Sequence, residues 1–316
     1  MREPETIPIV PEHELLRPIG SGSGGQVWLA RNALGSYRAV KIVQEQMFKH
    51  RRPFEREFNG ILKFEPVSRL HDGLVDVLQA GRNEAAGYFY CVMELADDVT
   101  TGSIIHPATY SPRTLEQDKH RLKRLPVSEC VRLGAAIASA LGFLHKNGLF
   151  HRDIKPSNII FVNGMPKLAD IGLVTDASEG RSFVGTDGFL APEGSGTIRA
   201  DIYALGKVLY EISTGNDRNE YPVLPDMQGS RAETRDLILL NKIILKACRK
   251  KAWQRYETAE EMMLALLAFQ FDKAALRRRK NTDLLTIVIG ILGAIAALGV
   301  VGGLIWRFIW LMNHKP

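Results

Sequence analysis

Cysteine is scarce in this chain, which has three among its 316 residues. Cys91, Cys130 and Cys248 lie far apart, each in an apolar stretch. That spacing excludes a disulfide framework and a cysteine-rich metal cluster, and it is typical of a reducing compartment. Residues 1–18 are polar and proline-rich and lack the basic and apolar regions of a signal peptide. These absences favour a folded chain in a reducing compartment.

Net charge is absent from most of the chain. The formal net charge is +6, but residues 273–316 hold seven basic side chains against one acid, Asp283. The whole excess therefore belongs to the C-terminal tail, and residues 1–272 are neutral. A neutral domain gives no sign of a nucleic-acid-binding surface, so we expect no nucleic acid among the partners.

Charged residues are missing altogether from residues 284–306, a run of 23. About 20 apolar residues span a bilayer as a helix, and buried helices of soluble proteins are rarely so long and so uniformly apolar. Five basic residues precede this run and two follow it, with Trp306 and Trp310 near its far end. Basic residues favour the cytoplasmic side of a membrane, and tryptophan favours its interface. We therefore predict a single-pass membrane helix that leaves the preceding chain in the cytoplasm.

Gly299 and Gly303 form a G-x-x-x-G pattern within this predicted helix. Such a pattern permits close packing of two membrane helices. The alternative is the ordinary use of glycine in a membrane helix. Membrane lipid is thus the expected partner of residues 284–306, and a homodimer through the helix is a weaker expectation.

Residues 151–158 combine a carboxylate, an ammonium and an amide in a short segment, His-Arg-Asp-Ile-Lys-Pro-Ser-Asn. Asp153 can orient a substrate hydroxyl and accept its proton, Lys155 can neutralise a transferring phosphate, and Asn158 can hold a metal ion. The alternative is a surface turn with the same letters. The combination predicts phosphoryl transfer.

A glycine-rich segment lies near the start of the chain. Gly20, Gly22 and Gly25, followed by Val27, fit the pattern G-x-G-x-x-G-x-V. Glycine lets backbone N–H groups approach phosphates without interference from a Cβ atom. An apolar, strand-like run follows at once, whereas a dinucleotide-binding fold needs a helix at the last glycine. The segment therefore favours a phosphate-binding loop between two strands.

Two further segments carry isolated charges in apolar surroundings. Residues 39–43 read as a buried strand that holds one lysine, Lys41. Asp170-Ile171-Gly172 follows an apolar strand and lies 17 residues after Asp153. A lysine on an edge strand and an ordinary Asp-x-Gly turn are the alternatives.

The order and spacing of these segments resemble the bacterial eukaryotic-type (Hanks-type) serine/threonine protein kinases. The resemblance covers residues 14–270, and the segment at 151–158 matches the catalytic loop H-R-D-x-x-x-x-N. Asp170 starts a motif similar to D-F-G, with Ile171 in place of phenylalanine. Phe189 stands where the family usually has tyrosine. The resemblance implies transfer of the γ-phosphate of ATP to a protein hydroxyl with Mg²⁺, or Mn²⁺ as an alternative.

The resemblance also implies a carboxylate partner for Lys41. The following helix is amphipathic, and both Glu55 and Glu57 flank its apolar stripe, so the helical pattern does not choose between them. In the family, the residue one turn after the paired glutamate is apolar and packs in the core. Ile61 stands at that offset from Glu57, so Glu57 is the predicted partner.

The remaining site residues follow from the same resemblance. The catalytic residues would be Lys41, Glu57, Asp153 and Lys155, and the metal ligands would be Asn158 and Asp170. The residues that contact ATP would be Ile19, Gly20, Gly22, Gly25, Val27, Ala39, Lys41, Glu94, Ala96 and Ile160. Met93 would be the gatekeeper before the hinge. Asp201 would cap the catalytic-loop backbone, and Arg255 would pair with Glu193.

The implied fold is α+β, the bilobal protein-kinase fold, with one C-terminal transmembrane helix. Its parts would be an N-terminal extension (1–13), a kinase domain (14–270), a basic juxtamembrane linker (271–283), the transmembrane helix (284–306) and a short tail (307–316). Within the domain, the small β-rich lobe would span 14–93, the hinge 94–96 and the large helical lobe 97–270. With a bacterial origin, the membrane would be the inner membrane.

Two other functions compete with a protein kinase. A pseudokinase would bind partners without catalysis, and the departures at Ile171 and Phe189 keep this alternative open. A small-molecule phosphotransferase shares the fold, but such enzymes generally lack an activation segment like the one that ends in Ala191-Pro192-Glu193. The sequence leaves the phosphorylation sites open among four residues, Thr175, Ser178, Ser182 and Thr186.

Overall fold

The computed structural model describes residues 7–22, 25–170, 175–176, 185–225 and 230–269. The chain divides into two units, Met1–Leu267 and Ala268–Pro316. Most of the second unit, including the predicted linker, transmembrane helix and tail, lies outside the described residues. The structure of the first unit is given below.

An antiparallel sheet of five strands forms the small lobe. Strands β1 to β5 span His13–Gly22, Gly25–Asn32, Tyr37–Gln44, Val77–Asn83 and Tyr88–Met93. Their spatial order is β1-β2-β3-β5-β4, so β3 is central. All six residues of β5 are buried, which suits its aromatic and β-branched composition. The predicted strand around Lys41 is confirmed.

Helix α1 (Arg51–Ser68) belongs to the same lobe. Pro53 lies in its first turn, where the missing N–H costs no intrahelical hydrogen bond. Phe54, Ile61 and Phe64 are buried at helical spacing, and Glu57 shares this buried face. The apolar stripe thus brings one carboxylate into the interior of the lobe.

The segment before β1 also belongs to the small lobe. Val10 is buried in the cluster that contains Tyr88 and Val92. The hydroxyl of Tyr88 donates to the carbonyl oxygen of Ile9 at 2.7 Å and accepts from its N–H at 3.0 Å. Part of the predicted N-terminal extension therefore packs as a component of this lobe.

Four complete helices form most of the large lobe among the described residues. Helices α2 to α5 span Leu115–Leu122, Val127–Lys146, Ile198–Thr214 and Arg231–Ala247, and residues 259–269 are also helical. Helix α3 ends just before the catalytic loop. Of the described helices, it alone has the length and hydropathy to cross a membrane. Its apolar residues are mostly buried, so it is the core helix of this lobe.

Short strands bracket the catalytic loop. Strands β6 to β9 span Leu149–Phe150, Ile159–Val162, Met165–Leu168 and Thr175–Asp176. Strand β6 pairs with β9, and β7 forms a hairpin with β8. Residues 151–158 therefore run from β6 to β7, and Asp170 follows β8 closely. A β-rich small lobe and a helical large lobe confirm the predicted α+β class and bilobal fold.

Candidate active site

A cleft of about 370 Å³ is lined by residues of both lobes. Nine of the residues predicted to contact ATP line it: Ile19, Gly20, Gly22, Val27, Ala39, Lys41, Glu94, Ala96 and Ile160. Lys155, Asn158 and Asp170 line it as well. The cleft thus gathers glycine backbone, a cation and metal-ligating oxygens in one place.

Gly25 differs from the other predicted glycines because it does not line this cleft. It pairs with Val43 across β2 and β3. A Cβ atom at Gly25 would lie 2.6 Å from the carbonyl oxygen of Ile42. Close backbone packing between the two strands therefore requires this glycine.

Lys41 joins two carboxylates. Its Nζ atom donates to Glu57 Oε1 at 2.8 Å and to Asp170 Oδ1 at 2.8 Å. Burial disfavours the ammonium, but the charges of Asp170 and Glu57 outweigh it and raise the pKa of Lys41. Burial likewise opposes ionisation of Asp170, and the charge of Lys41 outweighs it and lowers the pKa of that carboxyl. Lys41 and Asp170 are therefore both charged near neutral pH.

The structure distinguishes the two glutamates of α1. Glu57 is buried and contacts Lys41. Glu55 is partly exposed and forms ion pairs with Arg82 at 2.6 Å and Arg51 at 2.8 Å. The predicted pair of Lys41 with Glu57 is present. Glu55 instead pairs with arginines at the outer surface of the lobe.

Asp170 and Asn158 offer oxygen ligands to the cleft. Asp170 has a φ of 56°, a conformation that non-glycine residues rarely adopt and that recurs at functional sites. The side-chain nitrogen of Asn158 donates to the backbone oxygen of Asp153 at 2.8 Å and to its carboxylate at 3.0 Å. These bonds occupy the amide nitrogen and leave the amide oxygen for coordination.

The ligand chemistry fits magnesium. Within the part of the chain that the structure describes, no group of three or more His, Cys, Asp or Glu side chains is placed to hold a metal. Mg²⁺ usually takes one or two protein oxygens and completes its shell with phosphate oxygens and water. Asn158 and Asp170 supply that number of oxygen donors.

The carboxylate of Asp153 contacts both a hydroxyl and an ammonium. Its Oδ1 atom accepts from the hydroxyl of Thr186 at 2.7 Å and from the backbone N–H of Thr186 at 3.1 Å. Lys155 Nζ lies 2.8 Å from Asp153 Oδ2 and donates to the Thr186 hydroxyl at 2.9 Å. A hydroxyl at this position therefore donates to the carboxylate while a cation balances the charge.

Asp201 fixes the backbone of the catalytic loop. Its carboxylate accepts from the backbone N–H groups of His151 and Arg152, each at 2.9 Å. Its Oδ2 atom also lies 2.9 Å from His145 Nε2. Arg152 has a φ of 71°, so these bonds hold a strained turn in place. The predicted cap by Asp201 is confirmed.

Comparison with known proteins identifies the family. The model of the protein kinase domain matches residues 13–286. The chain belongs to the protein kinase family. Members of this family transfer phosphate from ATP with the help of Mg²⁺.

The kinase domain has many bacterial relatives. The chain is 30% identical over 285 residues to the serine/threonine-protein kinase PknB of Mycobacterium leprae, covering 81% of this chain and 42% of that protein. It is 31% identical over 292 residues to the serine/threonine-protein kinase PrkC of Bacillus subtilis, covering 85% and 42%. A match of 30% over 219 residues to the DNA damage-responsive kinase RqkA of Deinococcus radiodurans covers 65% and 30%. The chain spans less than half the length of these relatives.

The end of the activation segment is anchored to the large lobe of the kinase. Arg255 donates to both oxygens of Glu193, at 2.6 Å and 2.8 Å. This predicted pair is confirmed. Ile171, Gly172, Ser178 and Ser182 lie outside the described residues, and Thr175 is described only as part of β9.

The hinge contacts were partly missed by sequence analysis. Glu94 contributes its side chain to an ion pair with Lys167 at 2.6 Å, and its carboxylate also accepts from the N–H of Asp76 at 2.8 Å. Ala96 offers its carbonyl oxygen to the hydroxyl of Tyr110 at 3.0 Å. Five residues after the hinge line the cleft without having been predicted: Tyr110, Ser111, Pro112, Thr114 and Gln117. They lie in a polar segment with no recognised motif, so the sequence offered no signal for them.

Proposed function

We propose that this chain is a protein serine/threonine kinase that transfers the γ-phosphate of Mg·ATP to a hydroxyl of a protein substrate. The observation that carries the proposal is the contact of Asp153 with the Thr186 hydroxyl at 2.7 Å, beside a cleft that contains Lys41 and Asp170. Acceptor chemistry and nucleotide-binding groups thus occupy neighbouring positions. The names of the bacterial relatives support the choice of serine and threonine as acceptors.

The reaction assigned to the site is an in-line displacement. The acceptor oxygen forms a bond to the γ-phosphorus, and the bond from that phosphorus to the bridging oxygen of ADP breaks. Asp153 orients the hydroxyl and takes its proton, while Lys155 balances negative charge beside it. When bound, Mg²⁺ neutralises charge on the phosphates, and Asn158 and Asp170 would hold it.

Lys41 and the glycine-rich segment would position the nucleotide. Gly20 and Gly22 line the cleft, where their backbone would approach the phosphates, and Lys41 offers an ammonium that Glu57 keeps in place. The pseudokinase alternative loses support because Asp201 caps the catalytic loop and because Lys41 and Glu57 form their ion pair. A binding module would need neither feature.

Transfer is tested by mass spectrometry of the full chain in detergent after incubation with Mg·ATP and a protein acceptor. We expect phosphoserine or phosphothreonine, on the acceptor or on the chain itself. Incubation with Mg·ADP is the control. A chain that binds Mg·ATP and forms no phosphoamino acid would be the pseudokinase instead.

We further infer that residues 284–306 anchor the kinase to a membrane. The uncharged run is long enough for a hydrocarbon core about 30 Å thick, and a helix satisfies its own backbone hydrogen bonds there. The preceding basic residues, Arg277 to Lys280, support a cytoplasmic kinase domain. Lipid is then the partner of this segment, and Gly299 with Gly303 offers a surface for a second copy.

Cell fractionation tests the anchor. The full chain should sediment with membranes and resist extraction by alkaline carbonate, and a variant truncated after Lys280 should lose both properties. Protease added to sealed spheroplasts should spare the kinase domain and should digest it in inverted vesicles. Recovery of the full chain in the soluble fraction without detergent would contradict the anchor, and digestion from outside would contradict the orientation.

A further inference from the structure

The segment that follows the hinge forms a closed loop, residues 98–113, which we call the strap. Its base is held by Asp98, whose carboxylate accepts from the N–H groups of Thr100 at 2.8 Å, Thr101 at 2.9 Å and Ser111 at 2.8 Å. The N–H of Val99 donates to the carbonyl oxygen of Ser111 at 2.9 Å. The two ends of the strap are therefore bound to each other.

The base of the strap is also bound to the large lobe. The N–H of Arg113 donates to the carbonyl oxygen of Asp97 at 2.7 Å. The carboxylate of Asp97 accepts from the N–H groups of Asn163 at 2.9 Å and Gly164 at 2.7 Å, in the turn between β7 and β8. The guanidinium of Arg113 lies 4.2 Å from the centre of the Phe161 ring. The base of the strap is therefore fixed to the large lobe.

One face of the strap borders the nucleotide cleft. Tyr110 is buried, lines the cleft with Ser111 and Pro112, and donates its hydroxyl to Ala96 O at 3.0 Å. Burial raises the pKa of the Tyr110 phenol, so the group stays a neutral donor at physiological pH. The strap is therefore continuous with the hinge wall of the cleft.

The far side of the strap is bound to the small lobe through Arg17 in β1. The Nε atom of Arg17 donates to the carbonyl oxygen of Pro107 at 2.7 Å, and its Nη2 atom donates to the carbonyl oxygen of Tyr110. A charged donor makes such bonds stronger than those between neutral groups. One side chain therefore connects the first strand of the small lobe to the strap.

Strand β1 needs such support at this point. Its pairing with β2 is irregular on both sides of Arg17, between Leu15 and Arg17 and between Pro18 and Gly20. An irregular strand bends where its ladder is interrupted. Gly20 follows three residues after Arg17 and lines the cleft. The position of the glycine-rich segment over the cleft thus depends on how β1 is held at Arg17.

We propose that Arg17 is a positioning residue for nucleotide phosphates, acting through β1, which it binds to the strap. Arg17 does not line the cleft itself, so its effect reaches the nucleotide through Gly20 and Gly22. The proposal rests on the proposed function in that it takes the cleft as the ATP site. It predicts that Arg17 matters for ligands that carry phosphates and not for the nucleoside alone.

The test compares the binding of ATP, ADP and adenosine to the full chain in detergent. We expect Arg17→Ala to weaken the binding of ATP and ADP by roughly tenfold, which is the order of the loss of charge-assisted hydrogen bonds. The binding of adenosine should stay unchanged. Arg17→Lys keeps the charge and one donor group, so it should fall between the two. Arg31→Ala is the matched control, because Arg31 lies in the neighbouring strand and pairs with Glu14 at the surface.

Steady-state kinetics give a second measurement. The KM for ATP should rise in Arg17→Ala, while kcat at saturating ATP stays near the wild-type value. An equal loss of affinity for ATP and for adenosine would overturn the proposal, and so would unchanged ATP affinity in both Arg17 variants. Should Arg17→Ala unfold, the comparison of ligands in Arg17→Lys decides in the same way. Wild-type chain that binds ATP without transferring phosphate would refute the kinase activity alone.

Discussion

Lys41 Nζ lies 2.8 Å from Asp170 Oδ1, and this contact joins the central strand of the small lobe to the large lobe. The same ammonium lies 2.8 Å from Glu57 Oε1. The side chains of Lys41 and Glu57 are only 5% and 7% exposed, so water cannot replace a missing partner. The three groups therefore depend on one another.

Replacing Lys41 by methionine should destabilise the chain as well as abolish transfer. The substitution keeps the side-chain length but leaves Glu57 buried without a cation, which typically costs about 3–5 kcal/mol. The double variant Lys41→Met with Glu57→Gln should recover part of this loss. Denaturant unfolding without nucleotide measures both. Equal stability of the single and double variants would contradict the coupling.

Two glycines of the same segment should respond differently to alanine. At Gly25 a Cβ atom would lie 2.6 Å from the carbonyl oxygen of Ile42, so Gly25→Ala should destabilise by about 1–3 kcal/mol. At Gly22 the nearest atom, Asp170 Oδ2, would be 3.7 Å away, so Gly22→Ala should leave stability nearly unchanged.

Affinity for ATP should separate these two variants further. Gly22→Ala places a methyl group where backbone is expected to approach phosphates, so it should weaken ATP binding in a fold that is intact. Thermal unfolding and ATP titration of both variants check the difference. Normal ATP affinity of the Gly22→Ala chain would show that this segment does not bind the phosphates.

The ion pair of Arg255 with Glu193 should contribute more to the free energy of unfolding than a surface ion pair does. The Arg255 side chain is 0% exposed and makes a bidentate contact. Arg255→Met should cost about 1.5–3 kcal/mol, because the partly buried Glu193 carboxylate loses its charged hydrogen-bond donor. Arg31→Met, which breaks an exposed pair with Glu14, should leave the free energy of unfolding nearly unchanged. Similar unfolding free energies for the two variants would contradict this account.

Acid should loosen the base of the strap. Burial acts to raise the pKa of Asp98, but hydrogen bonds from backbone N–H groups outweigh it and lower the pKa to about 2 from 3.8. A depressed pKa means that the carboxylate stabilises the fold above pH 3.8, and that this contribution is lost as the pH falls toward 2. The stability difference between wild type and Asp98→Asn should therefore be constant above about pH 5 and shrink below about pH 4. Unfolding curves at several pH values measure it, and a difference that grows on acidification would contradict the assignment.

Sequence patterns located the residues whose chemistry depends on close spacing along the chain. Asp153, Lys155 and Asn158 lie within six residues, so one loop brings them together. Glu57 was chosen over Glu55 by family resemblance, because both flank the same helical stripe. The pattern alone does not show which carboxylate meets a strand far away in sequence.

The features that sequence analysis missed depend on contacts with backbone. Arg17 binds carbonyl oxygens of the strap some 90 residues away, and a residue of any type could supply those backbone carbonyls. Val10 lies in a short apolar stretch with Ile7 and Ile9 that prolines interrupt, so it lacks the periodicity that marks a strand or helix. Such contacts leave no pattern in the sequence.

The most direct test of the kinase assignment is phosphoryl transfer by Asp153→Asn. The full chain in detergent is incubated with Mg²⁺ and γ-labelled ATP, and label on serine and threonine is measured beside ATP affinity. We predict that Asp153→Asn binds ATP as the wild type does and transfers phosphate about 10²–10⁴-fold more slowly, the usual cost of losing a general base. Transfer by Asp153→Asn at the wild-type rate would contradict the account.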